Sequence, residues 1–441
     1  MSSLLRGGVV LVMDDARTEV AADVRVRGNL IVDVAPDLAP EPGEVIIDAR
    51  GAVVLPGFVQ THIHLCQTLF RNLADDLSLL GWLAQRIWPL EAAHTAASLR
   101  ASAELGIAEL LLGGTTAIVD MGTVRHTDQV FEALLEGGLR AVAGKCMMDD
   151  PSVPPGLAES TDDSLAESLT LASRWDGAGQ GRIRYGFAPR FALSCTDRLM
   201  REVARLAAER GLFVHTHSSE NVDEIALVEA RAGMRNVAHL AALGIRGPRA
   251  VLAHCVHLDA HEVAELAAAG TRVSHCPSSN LKLGSGVCDV PGLVRGGVHV
   301  SLGADGAPCN NRLDMWTEMR TAALIQKPRH GPTAMPAGEV LAMATRRGAE
   351  AIGMGDRLGQ VRPGFVADLQ IVAPDGLLDG PGGAWASRLV YAADRHAVRH
   401  VMVDGELLVH DRRLVRWSRD DIVARAREEL AGCVQRAGLA R

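Results

Sequence analysis

Eight short apolar runs of strand-like composition, each followed by a stretch of helical periodicity, lie between residues 53 and 305 and constrain this chain more than any other feature. They are 53–62, 115–120, 140–147, 183–190, 211–217, 249–254, 271–276 and 299–305. Strands alternating with helices make a parallel sheet covered by helices, and eight such units are the count of a closed (β/α)8 TIM barrel. An open doubly wound sheet alternates in the same way but needs a glycine-rich phosphate loop after an early strand, and no G-x-G-x-x-G stands there. The helical stretches carry their own end signals. In "SCTDRLMREVARLAAERG" (194–211) Leu199, Val203 and Leu206 share one face and Gly211 follows the last periodic residue; in "LDAHEVAELAAAG" (258–270) Asp259 and Glu262 have capping-box spacing ahead of Gly270.

The two ends of the chain have a different texture. "VRVRGNLIVDVAP" (24–36), "ADLQIV" (367–372) and "VRHVMVDGELLV" (398–409) are β-rich runs, two of them broken by the hairpin signals Gly28-Asn29 and Asp404-Gly405. They predict a small β-sandwich built from residues 1–55 and 362–441, attached to the barrel over 56–361. The 441 residues suffice for both, since single cores stop growing at roughly 250–300 residues.

Composition removes several function classes. A net charge of −8 and 3% aromatic residues offer neither a phosphate-neutralising face nor a stacking platform, so nucleic-acid polymers are not expected as partners. "VVLVM" (9–13) is too short for a signal-peptide core or a span, and a cytoplasmic protein without a membrane segment is expected. The eight cysteines form no C-x-x-C pair and sit in apolar stretches, the pattern of buried free thiols. Helices on the outside of a barrel commonly pair, and a homo-oligomer is expected.

Catalytic groups of a barrel sit at the C-terminal ends of its strands. His62 and His64 end the first run, His217 and Glu220 the fifth, His254 the sixth and Asp305 the eighth. Residues two apart in a strand point to one side, so His62 and His64 can reach the same ion. Three imidazoles and a carboxylate make the mixed shell that Zn2+ accepts, and Fe2+ equally, which predicts one divalent metal per chain. An ion in such a shell supplies hydroxide near neutral pH, and Glu220 stands where a proton-transfer group is needed. His215, one layer deeper, and His257 are expected to pack rather than ligate. Lys145 has no evident acidic partner, so no second, lysine-bridged metal is expected. His126, His261, His330, His396 and His400 are expected at the surface or in structural roles.

"PGFVQTHIHL" (56–65), "VHTHSSE" (214–220), "LAHCVHL" (252–258), "SHCPSSNLKLGSG" (274–286), "LGADGAPCNN" (302–311) and the return segment "GQVRPGFVADLQIV" (359–372) resemble, in this order, the amidohydrolase superfamily, in its mononuclear branch of cytosine, guanine and adenosine-type deaminases and triazine hydrolases. The resemblance implies that His62, His64, His217 and Asp305 hold the metal, that Glu220 carries a proton from water to a ring nitrogen, that His254 orients the hydroxide, and that Asp305 passes a proton to the departing amine. "LADDLSLLGWLAQRIWPLE" (73–91) is similar to 5′-modified adenosine deaminases, in which a glutamate matching Glu91 meets ribose hydroxyls. "APRFALSC" (188–195) is similar to guanine deaminases, whose arginine matching Arg190 meets a purine carbonyl, and Gln67 falls where those enzymes also use a glutamine. Asn280 is a further candidate substrate contact or turn residue. The resemblance thus implies a deaminase of a small aminated heterocycle, with 5′-deoxyadenosine, 5′-methylthioadenosine or S-adenosylhomocysteine first, a guanine or oxopurine second and an s-triazine third. A non-catalytic scaffold ranks last, since every ligand and the proton shuttle are present.

Overall fold

The computed structural model describes residues 2–377, 380 and 382–439. Eight parallel strands follow one another in chain order around a barrel: β1 (Phe58–His64), β2 (Thr115–Met121), β3 (Arg140–Gly144), β4 (Ile183–Pro189), β5 (Phe213–Ser218), β6 (Ala250–His254), β7 (Arg272–His275) and β8 (His299–Leu302). Closure falls to the residues just past β8. The backbone breaks at Gly303 and resumes as Asp305–Gly306, which pairs with β1 in the register Asp305 opposite Ile63 and Gly306 opposite His64. Glycine is required at the break, because a Cβ on Gly303 would lie 2.8 Å from the backbone N and O of His62.

The first run of the sequence divides. Val53–Pro56 leaves the barrel and pairs with Leu369–Val372 of the terminal sheet, so only the part from Phe58 onward is a barrel strand. The turn is at Gly57, where a Cβ would overlap the Thr116 side chain at 2.1 Å. His62 therefore lies within β1, and His64 is its last residue. The third run is likewise interrupted at Lys145, after which Cys146–Met147 pairs with the end of β4.

The helices between the strands have the ends that their sequences predict. In Asp197–Arg210 the Thr196 side chain accepts from Leu199 N, Gly211 closes the helix in the left-handed region, and Leu199, Val203 and Leu206 are buried against the barrel. Each such side chain contributes about 1.5–3 kcal/mol through burial. Ala260–Ala269 starts with the Asp259/Glu262 capping box and ends at left-handed Gly270. Inside the barrel, Thr61 Oγ1 hydrogen-bonds Ser274 Oγ at 2.7 Å and Ser301 Oγ at 2.8 Å, a small-residue layer beneath the mouth.

The termini together form a nine-stranded sheet that curls back on itself as a β-sandwich. Leu30 bridges Val366, and Gly405 N donates to Ala367 O at 3.0 Å. The hairpins at Gly28-Asn29 and Asp404-Gly405 use left-handed Gly28, Asp404 and Gly405. Arg140 of β3 joins the two parts: its Nε donates to Asp368 Oδ2 at 2.7 Å and its Nη2 to Asp404 Oδ1 at 3.2 Å. All eight cysteines are buried and free. Among the described residues no helix is long and apolar enough to cross a membrane.

Candidate active site

The ends of β1, β5 and β6 and the segment that closes the barrel deliver their polar side chains to one point. The ligand-capable atoms of His62, His217, His254 and Asp305 lie within 4.8 Å of one another. His64 adjoins them, its Nε2 3.2 Å from His217 Nε2 and 3.3 Å from Asp305 Oδ1, while His62 Nε2 is 3.1 Å from that same oxygen. The backbone is bent to do this. His254, Cys255, Ser219 and Asp305 all have positive φ, a conformation that costs energy and is kept where it aims a functional group.

The hydrogen bonds behind the imidazoles decide which nitrogens are free. His64 Nδ1 donates to Met121 O at 3.0 Å and His217 Nδ1 to Arg190 O at 2.7 Å. A carbonyl only accepts, so in each neutral ring the proton is on Nδ1 and the lone pair on Nε2. The two lone pairs then face each other, a repulsive arrangement that a cation between them reverses. His62 Nε2 and His254 Nε2 are also buried without a hydrogen-bond partner. Buried, unsatisfied and convergent nitrogens beside a carboxylate fit one divalent ion, and the N/O composition suits zinc.

The field of the site is set by burial and by these close neighbours. Burial drives the Asp305 carboxyl upward, but His62 and His64 outweigh it and hold the group well below the usual carboxylate range. Ser279 Oγ adds a hydrogen bond to its Oδ2 at 2.6 Å. Burial, with the Asp305 charge in addition, raises Glu220 above an ordinary glutamate, although His254 pulls the other way. Glu220 Oε2 is 3.5 Å from His254 Nε2, and its Oε1 accepts from Ser285 Oγ at 3.1 Å. His254 is steadied from behind by Asn280, whose Oδ1 accepts from its Nδ1 at 2.8 Å.

The cavity above these groups is lined by Gln67, Arg190, Phe191, Glu224 and an apolar roof of Leu79, Trp82, Leu83 and Leu283. Its free volume is about 20 Å³, room for a water but far below the ~300 Å³ and more of small-molecule sites. The roof segment includes the π-turn Leu83–Ile87, a device common at functional sites. Behind the cavity Glu91 is fully engaged. It takes Arg190 Nη1 at 2.7 Å, Arg190 Nη2 at 3.1 Å and Gln67 Nε2 at 2.8 Å. Gln67 Oε1 is left buried and without a partner.

The structure thus gathers His62, His64, His217, Glu220, His254 and Asp305 at one point and places Gln67 and Arg190 on the cavity wall. Glu91 and Asn280 sit one step behind it, against Arg190 and His254. Lys145 corrects an expectation: it is fully buried and ion-paired with Glu159, with Glu167 at 3.5 Å, so it has acidic partners, and neither belongs to the metal-capable group. Three functional neighbours were not anticipated: Glu224, Ser279 and Ser285. Glu224 Oε2 accepts from Glu220 N at 2.9 Å and so fixes the loop that carries Glu220. Its signal was in the sequence, for Asn221 and Glu224 have capping-box spacing and form that box here. Both serines lie in the segment 274–286 that carried the family resemblance, Ser279 in the short helix Pro277–Lys282, but nothing in the sequence pattern singled out either hydroxyl.

Residues 53–408 match the model of the Amidohydrolase family. This chain belongs to the amidohydrolase family. Among the relatives of this amidohydrolase, a 5′-deoxyadenosine deaminase of Methanothermobacter thermautotrophicus is 40% identical over 93% of this chain and 93% of its own. A 5-methylthioadenosine/S-adenosylhomocysteine deaminase of Haloarcula marismortui is 37% identical over 99% of this chain and 100% of its own. The crystal structure of an adenosine deaminase from Xanthomonas campestris with bound zinc superposes with a TM-score of 0.92 at 33% identity, covering 98% of each chain.

Proposed function

We propose that this amidohydrolase is a zinc-dependent hydrolytic deaminase that releases ammonia from an aminated purine, with a 5′-modified adenosine as its substrate: 5′-deoxyadenosine, 5′-methylthioadenosine or S-adenosylhomocysteine. The observation that carries the reading is the convergence of Glu220, His254 and Asp305 on the imidazoles of His62, His64 and His217 at the floor of a cavity. Similarity to the 5′-modified adenosine deaminases over nearly the whole chain supports the substrate class.

In this reading His62, His64, His217 and Asp305 hold the ion, and the chemistry it supplies when bound is hydroxide at neutral pH. Glu220, held by Ser285 and by the Glu224-pinned backbone, moves a proton to the ring nitrogen beside the amino-bearing carbon. His254, kept in one orientation by Asn280, directs the attacking oxygen. Asp305 delivers the proton without which the amine cannot leave. Gln67 and Arg190, both held by Glu91, set the polarity of the cavity wall that the substrate meets.

Arg190 favours a second reading, a guanine or oxopurine, because a guanidinium on the cavity wall offers donors to an exocyclic oxygen that adenosine lacks. The same proposal divides the chain into a barrel over 56–361 and a sandwich from 1–55 with 362–441. It also places the enzyme in the cytoplasm as a homo-oligomer acting on a small molecule. The test is ammonia release from adenosine, 5′-deoxyadenosine, 5′-methylthioadenosine, S-adenosylhomocysteine, guanine, 8-oxoguanine, cytosine and melamine. A 5′-modified adenosine should have the highest kcat/KM; preference for guanine or 8-oxoguanine would select the second reading, and turnover of none would end both.

A further inference from the structure

We infer that His215 is a positioning residue: it accepts the Nδ1 proton of His62 and so keeps His62 Nε2 bare for the metal. His62 Nδ1 and His215 Nε2 are 2.8 Å apart, and both rings are buried in the barrel. One hydrogen joins the two nitrogens, and there are two places to put it. If it belongs to His215, the neutral His62 carries its own hydrogen on Nε2, the atom that points at Asp305 Oδ1 at 3.1 Å, and that nitrogen has no lone pair to give. If it belongs to His62, then Nε2 is a ligand and His215 is an acceptor with its hydrogen on Nδ1.

The other two rings of the set need no such help, because backbone carbonyls of Met121 and Arg190, which can only accept, fix their tautomers. His62 has no carbonyl behind it. Its Nδ1 partner is a second imidazole, which can accept or donate, so the tautomer of His62 is the one in the set that a side chain decides. The arrangement also explains why a polar ring fills a layer where a barrel ordinarily packs Val, Ile or Leu. His215 Nδ1 has no hydrogen-bond partner in its buried setting, a cost of about 1–3 kcal/mol for an orphaned donor. Such a cost is kept where the partner ring is held to a purpose. Partners behind a ligating histidine typically account for 10–100-fold in metal affinity.

The inference rests on the reading of His62 as a metal ligand, and the experiment separates the two. Zn2+ content after dialysis, and the rate at which a chromogenic chelator removes Zn2+, would be measured for the full chain, for His215→Phe, which keeps a ring without an acceptor, and for His215→Asn and His215→Gln, whose amide oxygen can accept. The expected result is chelator removal at least 10-fold faster in His215→Phe, with a substantial part of the loss restored in one of the amide variants. Cooperative thermal unfolding of each metal-free variant shows that it is folded, and the chelator rates are compared among the folded variants. If His215→Phe does not fold, His215→Leu takes its place against the same amide pair. Zinc held equally well without an acceptor, or lost equally with and without one, overturns the role and leaves His215 as packing. An unmodified protein that takes up no Zn2+ refutes the metal site itself, a distinguishable outcome.

Discussion

Arg190, on the wall of the cavity, and Glu91 behind it form a fork-to-fork pair, with Nη1 to Oε2 at 2.7 Å and Nη2 to Oε1 at 3.1 Å, both side chains almost fully buried. Burial alone would raise the Glu91 carboxyl, but the adjacent guanidinium holds it below its ordinary value. The pair joins the two residues whose sequence contexts pointed to different substrates, so neither acts on a ligand independently of the other. Arg190→Gln removes the cation and leaves a buried carboxylate, a change that typically costs about 3–5 kcal/mol. We expect a lower melting temperature and, if Arg190 addresses an exocyclic oxygen, a loss of kcat/KM for guanine-type substrates at least 10-fold greater than for 5′-deoxyadenosine. Equal losses on both would reduce Arg190 to a counter-ion for Glu91.

Glu220 is the group whose removal should separate binding from chemistry. Glu220→Gln preserves the shape of the side chain and a partner for Ser285 Oγ, which donates to Oε1 at 3.1 Å, while abolishing proton transfer. Zinc content should be unchanged and kcat should fall by at least about 100-fold, the range for a general acid–base group. Turnover within a few-fold of the parent would mean that another residue moves the proton.

Glu224→Gln tests a residue that acts through Glu220. Its carboxylate takes Glu220 N at 2.9 Å and Asn236 Nδ2 at 2.6 Å, so it fixes the backbone that aims Glu220 without touching the group of metal-capable atoms. The amide keeps one acceptor oxygen but must turn its NH2 toward another donor, which weakens that hold. A fall in kcat of roughly 10-fold with unchanged zinc content is expected, smaller than for Glu220→Gln because the proton-transfer group itself remains. A loss as large as that of Glu220→Gln would point to a direct part in proton transfer.

The metal should also be visible in stability. Without an ion the Nε2 lone pairs of His64 and His217 face each other at 3.2 Å, so the metal-free chain should melt below the zinc-loaded one. At free zinc of 100 times Kd the gain is about 2.7 kcal/mol. Chelation should lower the melting temperature, and about one equivalent of Zn2+ should restore it. An unchanged transition across the titration would count against a site formed by these residues.

Much of this was legible in the sequence, because the informative residues are tied to period and position. The alternation of strand and helix carried the barrel, and the place of His62, His64, His217, His254 and Asp305 at the ends of apolar runs carried their convergence. What was not legible is contact between side chains that share no local pattern. That Val53–Pro56 pairs with Leu369–Val372 is a tertiary fact; the sequence shows only the Pro56-Gly57 break inside the run, which marks the boundary but not the strand's partner. Lys145 meets Glu159 and Glu167 across a loop whose path no periodicity predicts. Glu91 and Arg190 stand 99 positions apart, and each was readable only as a separate candidate contact.

Asp120, at the end of β2, gives a pH test of the buried electrostatics. Its Oδ1 accepts from Leu65 N at 2.8 Å, which ties the turn after β1, while Oδ2 is buried without a partner. Burial raises its pKa from an ordinary 3.8 to about 7, against the pull of the Leu65 hydrogen bond. A carboxyl raised in the folded state binds its proton more tightly there than in the unfolded chain. Its contribution to stability is therefore complete below about 3.8, declines as pH rises toward about 7 and is constant above, at up to about 1.4 kcal/mol for each unit of the interval. Asp120→Asn keeps the acceptor for Leu65 N and is neutral throughout, so it lacks this loss. Urea unfolding of the metal-free proteins between pH 4.5 and 7.5 should show the variant gaining on the parent by a few kcal/mol, with most of the gain complete by about pH 7. A difference independent of pH would mean that Asp120 is already ionised in the folded protein and that its buried oxygen has a partner.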